Sequence, residues 1–126
     1  MSRKIAITLG DPGGIGPDIC VMMAKSSITR NHIFITDPKL LLDSSKKLNV
    51  KIKINLLKTV TSKTVSGLGL INVYPLKLIS KNKPGYMDPK NAPFVIDAIQ
   101  TAAEGCMRGD FDAMVTGPIS KSVLNK

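Results

Sequence analysis

Three times in this chain a short apolar run stops at a Gly-Pro or Asp-Pro step that opens a helical pattern. The sequences are "KIAITL" followed by "GDPGGIGPDICVMMAKSS", "NHIFITD" followed by "PKLLLDSSKKLN", and "FDAMVTG" followed by "PISKSVLNK". Proline carries no N–H and its φ is already helical, so it is well placed at the first position of a helix and poorly placed inside one. Each junction therefore predicts a strand that ends where a helix begins, with Gly16 and Asp37 as caps and Pro17, Pro38 and Pro118 as first helical residues. The strands fall at about 4–9, 30–36 and 111–116. Strands that alternate with helices at this spacing call for an α/β fold. Right-handed crossovers then place the main strands in one largely parallel sheet with flanking helices.

Between the second and third junctions, "KIKINLLK" alternates with period two. "GLINVYPL", after a turn at Gly67, reads as a further strand. "KLISKNKPGYMDPKNAP" reads as loop. The longest helix follows, opened by Asp88-Pro89 or by Asn91, running to about Arg108 and stopped by Gly109. Its apolar stripe is expected at Ala92, Val95, Ile96, Ile99, Ala102, Ala103 and Cys106. The inward faces of the first two helices are expected at Ile19, Cys20, Met22 and Met23, and at Leu40, Leu41, Leu42 and Leu48. With 43% hydrophobic residues, the 126-residue chain suits one domain with a real core.

Charge is unevenly placed. The formal net charge is +9, and residues 46–90 hold ten lysines against one acid, Asp88, while the remainder balances. That segment has no arginine, and its only aromatics are Tyr74 and Tyr86, so it is poor in base-reading and base-stacking groups. It reads as a solvated lysine face, and no nucleic-acid partner is expected. No apolar run reaches the length of a membrane span, and the start carries no signal-peptide pattern. A cytoplasmic protein with Cys20 and Cys106 as buried free thiols is the expectation. The single histidine, His32, and the lack of any Cys/His cluster leave no recognisable metal site and no catalytic triad.

In parallel sheets, ligands bind beyond the carboxyl ends of the strands. Two glycine-proline loops lie there. The first, with Gly10, Asp11, Gly13, Gly14 and Gly16, matches neither a dinucleotide fingerprint nor a P-loop, and Asp11 and Asp18 place negative charge where an anion would sit. The second, with Thr116, Gly117, Pro118, Ser120 and Lys121, suits an anion better, combining hydroxyls, an ammonium and helix-start N–H groups. The expected substrate or phosphate cleft is formed by these ten residues.

"ITLGDPGGIGPDI" and "GDFDAMVTGPISKSVLN" about a hundred residues later together resemble the amino-terminal part of 4-hydroxythreonine-4-phosphate dehydrogenase. The strand at 30–36, the "DPKLL" helix and the long helix after "KPGYMDPKNA" are similar in order to that family, across essentially the whole chain. Gly13 departs from the alanine that many members carry. The resemblance implies a two-domain architecture like that of isocitrate and isopropylmalate dehydrogenases, with residues 1–126 forming the amino-terminal part. It also implies oxidation of 4-phosphooxy-L-threonine by NAD or NADP, with decarboxylation to 3-amino-2-oxopropyl phosphate, in pyridoxal phosphate biosynthesis. A divalent metal (zinc, magnesium or cobalt) on three histidines, and a homodimer, belong to that pattern. The metal-binding histidines have no counterpart here, so the resemblance assigns no catalytic residue and no metal ligand within this chain, and it implies an inactive isolated fragment. Two other readings stand beside it: a sister dehydrogenase of phosphorylated threonate-type acids, and a non-catalytic α/β module that binds phosphate or a partner.

Overall fold

A computed structural model describes residues 3–26, 31–78 and 88–117. Strand β1 (Ile5–Thr8) leads into helix α1 (Gly16–Ser26), and β2 (His32–Thr36) into α2 (Pro38–Leu48). Then come β3 (Lys53–Leu56), β4 (Leu70–Pro75), a single 3-10 turn (Pro89–Asn91), α3 (Ala92–Arg108) and β5 (Ala113–Thr116). The five strands form one sheet in the order β3-β4-β2-β1-β5, and every pairing is parallel. The largely parallel α/β fold expected from the strand-to-helix junctions is the fold observed.

The Asp-Pro junction behaves as its residues require. Asp37 has extended backbone, and one carboxylate oxygen accepts from Lys39 N at 3.0 Å, capping α2. Its other oxygen accepts from Leu78 N at 2.9 Å, so the same side chain pins the strand exit of β4 to the start of α2. At the Gly-Pro junction the first helical bond runs from Ile19 N to Ile15 O at 3.0 Å. Gly16 is thus the first helical residue rather than the cap. Its glycine is required by a close approach instead of by capping.

The sheet buries both faces. One core packs α1 and α2 on Phe34, Ile71 and Val73 through Cys20, Val21, Ala24 and Leu41. The other packs α3 on Ala6, Ile33 and Ile35 through Ala98, Ala102 and Phe111. α3 ends at Gly109 (φ 83), with Asp110 N bonded to Gly105 O at 2.8 Å. Phe111 folds back over Gly105, where a Cβ would lie 2.4 Å from its ring.

Several inward faces are rotated from expectation. Ile19, Met22, Leu42 and Ile96 are exposed; Cys20, Leu40, Leu41, Ala92, Val95 and Ala102 are buried as expected, and Val21 and Ala24 in α1, Ser44 and Ser45 in α2, and Phe94, Ala98 and Gly105 in α3 are buried beside them. Each helix covers a narrower strip than its apolar content suggests. The surplus apolar residues lie on flanks that the described elements leave open. Cys106 is half-buried rather than buried. β5, read as a buried strand from its apolar run, is an edge strand with Val115 54% exposed, because no described element pairs with its outer side.

"KIKINLLK" and "GLINVYPL" are neighbouring strands, but they run parallel, with Lys53 opposite Leu70 and Leu56 opposite Val73. Gly67 (φ 150) therefore sits in a return connection and not in a hairpin. Fully buried Asn72 holds that connection. Its Oδ1 accepts from Val65 N (2.9 Å) and Asn55 Nδ2 (3.0 Å), and its Nδ2 donates to Val65 O (2.9 Å). The lysines 46, 47, 51, 53, 58, 63, 77 and 90 are all exposed, as a solvated face requires. Lys81 and Lys83, and the helix expected from Pro118, lie outside the described residues. Among the described residues, no helix is long and apolar enough to cross a membrane.

Candidate functional site

The two glycine-proline loops meet at Gly117. Gly117 N donates to Thr8 O at 2.8 Å, carrying the β1–β5 ladder one step past Thr116. A Cβ on Gly117 would lie 2.4 Å from Leu9 O and 3.1 Å from Gly10 N, and a Cβ on Gly16 only 1.8 Å from the same Leu9 O. Glycine is needed at both positions because backbone meets backbone there. Gly10 takes a left-handed φ of 75 and turns the chain out of β1. Gly14 N then closes a turn on Asp11 O at 2.9 Å. Asp, Pro and Gly hold the first, second and fourth positions of that turn, which suits the common type, and Gly13 does not need a positive φ.

The structure thus brings Gly10, Asp11, Gly13, Gly14 and Gly16 to one edge with Thr116 and Gly117, while Pro118, Ser120 and Lys121 lie outside the described residues. Asp11 is 2% exposed and does not present an open carboxylate to the cleft. Asp18 turns toward α2, where Lys47 Nζ lies 2.8 Å from its Oδ2 and Ser44 Oγ donates to Oδ1. Burial pushes its pKa up, but the hydrogen bonds from Lys47 and Ser44 and the charge of Lys47 outweigh this, and the carboxyl ends below its ordinary value. The negative charge expected to oppose an anion at the α1 start is therefore paired with a lysine of the neighbouring helix. Pro12, Pro17, Leu40 and this ion pair line a shallow hollow of about 140 Å³ beside the loop.

Sequence reasoning missed two further groups at this edge. Thr8 and Thr36 end the adjacent strands β1 and β2, are 2% and 0% exposed, and have hydroxyls without a partner among the described residues. Buried hydroxyls normally find a partner. A signal was available: a threonine ends β1, β2 and β5 alike, at the carboxyl edge where parallel sheets place their ligands. Thr8 and Thr116 are in direct register.

His32 lies at the opposite end of the sheet, at the start of β2 and opposite Ile5. Among the described residues, no three His, Cys, Asp or Glu side chains come together as a metal site requires. Burial raises the Cys20 thiol to about 12, which makes it a packing group rather than a nucleophile.

A sequence profile for the pyridoxal phosphate biosynthetic protein PdxA matches residues 28–126. The chain belongs to the PdxA family. Among curated relatives, the 4-hydroxythreonine-4-phosphate dehydrogenase of Saccharophagus degradans is 38% identical over 122 residues, covering 97% of this chain and 36% of that protein. The enzyme of the same name from Thioalkalivibrio sulfidiphilus is 34% identical over 122 residues, with 97% and 37% coverage. Among solved structures, the 4-hydroxythreonine-4-phosphate dehydrogenase of Klebsiella pneumoniae superposes with a TM-score of 0.87 at 23% identity. It covers 99% of this chain and 39% of that one, a likeness that concerns the fold. This PdxA-family chain spans little more than a third of the length of the relatives it matches.

Proposed function

We propose that this chain is the amino-terminal portion of an NAD(P)- and divalent-metal-dependent dehydrogenase acting on 4-phosphooxy-L-threonine, and that its two glycine loops form the phosphate side of the substrate cleft. One observation carries the reading: in a PdxA-family chain, Gly16 and Gly117 close on the same Leu9 carbonyl and bring both loops to the carboxyl edge of β1 and β5. Neutralisation of Asp18 by Lys47 supports it, since it removes a charge that would repel phosphate. The hydroxyl of Thr116 and, on the sequence pattern, those of Ser120 and Lys121's ammonium supply donors.

The residues present do not fit a three-histidine metal centre. His32 is the sole histidine, and it stands at the far end of the sheet from the loops. Metal ligands and hydride-transfer groups belong, on this reading, to other parts of the enzyme, in a cytoplasmic homodimer. This chain binds and orients the phosphate end of the substrate. A sister enzyme acting on phosphorylated threonate-type acids would use the same cleft.

Inorganic phosphate titrated into the 126-residue chain and followed by amide NMR tests the cleft. Signals at 10–16 and 116–121 should move first, and Lys121→Ala should weaken the response. Shifts that instead cluster at Lys46 to Lys63 and survive Lys121→Ala overturn the reading, in favour of a binding surface on the lysine face.

A further inference from the structure

The edge strand β3 and the connection that follows it gather positive charge on one side. Side chains two apart share a side of a strand, so Lys53 stands on the side of β3 that Asn55 occupies. Asn55 Nδ2 donates to Asn72, which also holds Val65 by both its backbone groups, so the connection 57–69 runs over that same side. Lys53 N donates to Gly69 O at 2.7 Å, and a Cβ on Gly69 would lie 3.2 Å from Lys51 O, which seats Leu68 beside both lysines. Further along, Ser62 N donates to Thr59 O at 3.1 Å and Thr59 N to Ser62 Oγ at 3.0 Å, closing a turn with Lys58 and Lys63 at its two ends. Lys51, Lys53, Lys58 and Lys63 are exposed and have no ion-pair partner among the described residues. No acid occurs in the sequence between Asp43 and Asp88. Among these lysines Leu68 is 65% and Val65 39% exposed.

We propose that this face is a docking surface for an anionic lipid bilayer, with the four lysines at the headgroups and Leu68 and Val65 at the acyl boundary. Residue type chooses this occupant. Nucleic acids are read and stacked upon by arginine and aromatic side chains, and residues 51–70 contain neither. Protein interfaces concentrate the same residue types at their core and are depleted in lysine. A bilayer makes no such demand. Its negative surface attracts lysine as well as arginine, about fivefold in affinity for each one held close to it, and sites of this kind carry about 4–8 basic residues. Exposed aliphatic side chains add the apolar contribution that interfacial binding also needs. Pairing with acids inside the protein would cancel the attraction, and Lys47, the one lysine of 46–63 paired among the described residues, is on α2 across the sheet. The face lies at the β3 end of the sheet, away from the loops after β1 and β5, so it does not depend on the cleft reading.

The test is co-sedimentation of the 126-residue chain with vesicles at millimolar lipid, either phosphatidylcholine alone or equal parts of phosphatidylcholine and phosphatidylglycerol. At about 0.1 M salt the chain should sediment with the mixed vesicles and not with the neutral ones, and about 1 M salt should release it, since screening there acts within about 3 Å. Lys53→Gln with Lys63→Gln should weaken the partition at least tenfold. Lys39→Gln with Lys90→Gln removes the same charge from exposed positions outside the face and should change it less than twofold. Leu68→Ser should weaken it at least threefold at unchanged charge. All five side chains are exposed, and circular dichroism checks that each variant keeps its fold. The proposal is overturned if the chain ignores the anionic vesicles, if both double variants weaken binding equally, or if Leu68→Ser has no effect. It is also overturned, in favour of a nucleic-acid or acidic-protein partner, if a single-stranded oligonucleotide or polyglutamate binds the face and the vesicles do not. Phosphate shifts at 10–16 and 116–121 are measured without lipid, so failure of this surface and failure of the cleft reading are told apart.

Discussion

Gly16→Ala probes the contact that brings the two loops together. The added Cβ would sit 1.8 Å from the Leu9 carbonyl oxygen and 2.8 Å from its carbon, where ordinary contact begins at 3.4 Å. Relieving it requires a backbone shift of about 1.5 Å, and the obstacle is main chain rather than the end of a flexible side chain. The carbonyl has little room to move. Gly117 borders it as well, at 2.4 Å for its own missing Cβ, and the preceding Thr8 carbonyl is bonded to Gly117 N. Overpacking usually costs about 1–3 kcal/mol, so a site bounded by backbone belongs at the upper end, about 3 kcal/mol. For a domain of this size that is a fall of about 10 °C in Tm. Gly109→Ala is the internal control. A Cβ there meets nothing within 4 Å, and only the left-handed φ of 83 is strained, which costs about 1–2 kcal/mol. Thermal unfolding followed by circular dichroism should rank Gly16→Ala well below Gly109→Ala. Because both loop glycines press on one carbonyl, Gly16→Ala with Gly117→Ala should cost less than the two singly. A Gly16→Ala protein that melts within about 3 °C of its parent, or above Gly109→Ala, refutes the close approach on which the cleft depends.

Asn72→Ala removes three hydrogen bonds and leaves the Val65 N–H and C=O unpaired by protein; it should cost about 2 kcal/mol in denaturant unfolding and speed proteolysis between residues 57 and 69. The Asp18 carboxyl is held below 3.8 in the folded chain, so its pair with Lys47 stabilises above about pH 4 and is lost as pH falls through the depressed value. Asp18→Asn should therefore cost about 0.5 kcal/mol at neutral pH, as a partly exposed pair does, and the gap from the parent should close in unfolding curves taken well below pH 4. The purified 126-residue chain should show no NAD reduction with 4-phosphooxy-L-threonine and a divalent metal, because one histidine cannot build a three-histidine centre; turnover above a no-protein blank would contradict the assignment of catalysis to other parts of the enzyme.

What the sequence made legible was set by backbone chemistry. Asp37-Pro38 and Gly109 act locally, so the start of α2 and the end of α3 stand where their residues require, while α1 begins one residue before Pro17, at Gly16. Facing was harder to read. Ile19, Met22, Leu42 and Ile96 continue apolar stripes, but which flank a neighbour covers is a tertiary matter, and the open flanks here adjoin surfaces that the described elements do not cover. The parallel pairing of β3 with β4 was hidden for a similar reason. A turn residue at Gly67 suggests reversal, and only the side chain of Asn72, reaching across to Val65, shows that the connection returns to run alongside. Gly16 and Gly117 were singled out for their loops, but their partner was not visible. Leu9 lies 7 residues from one and 108 from the other in a sequence that cannot display their meeting. Asp18 showed its charge in sequence but not its lysine, 29 residues away on α2.

The place of β1 in the sheet has a consequence for how the chain is made. β1 is made well before β5, yet β5 is one of its two neighbours, and Lys4 N reaches the Asp112 carboxylate at 2.8 Å across 108 residues of sequence. At a synthesis rate of about 5–20 residues per second, one side of β1 waits roughly 5–20 s for its partner. During that interval β2 and β4 can join the opposite side, and Ile5, Ile7 and the β1 backbone remain open to any other strand in the cell. Until residue 116 has emerged, the side of β1 that faces β5 has no native strand to pair with.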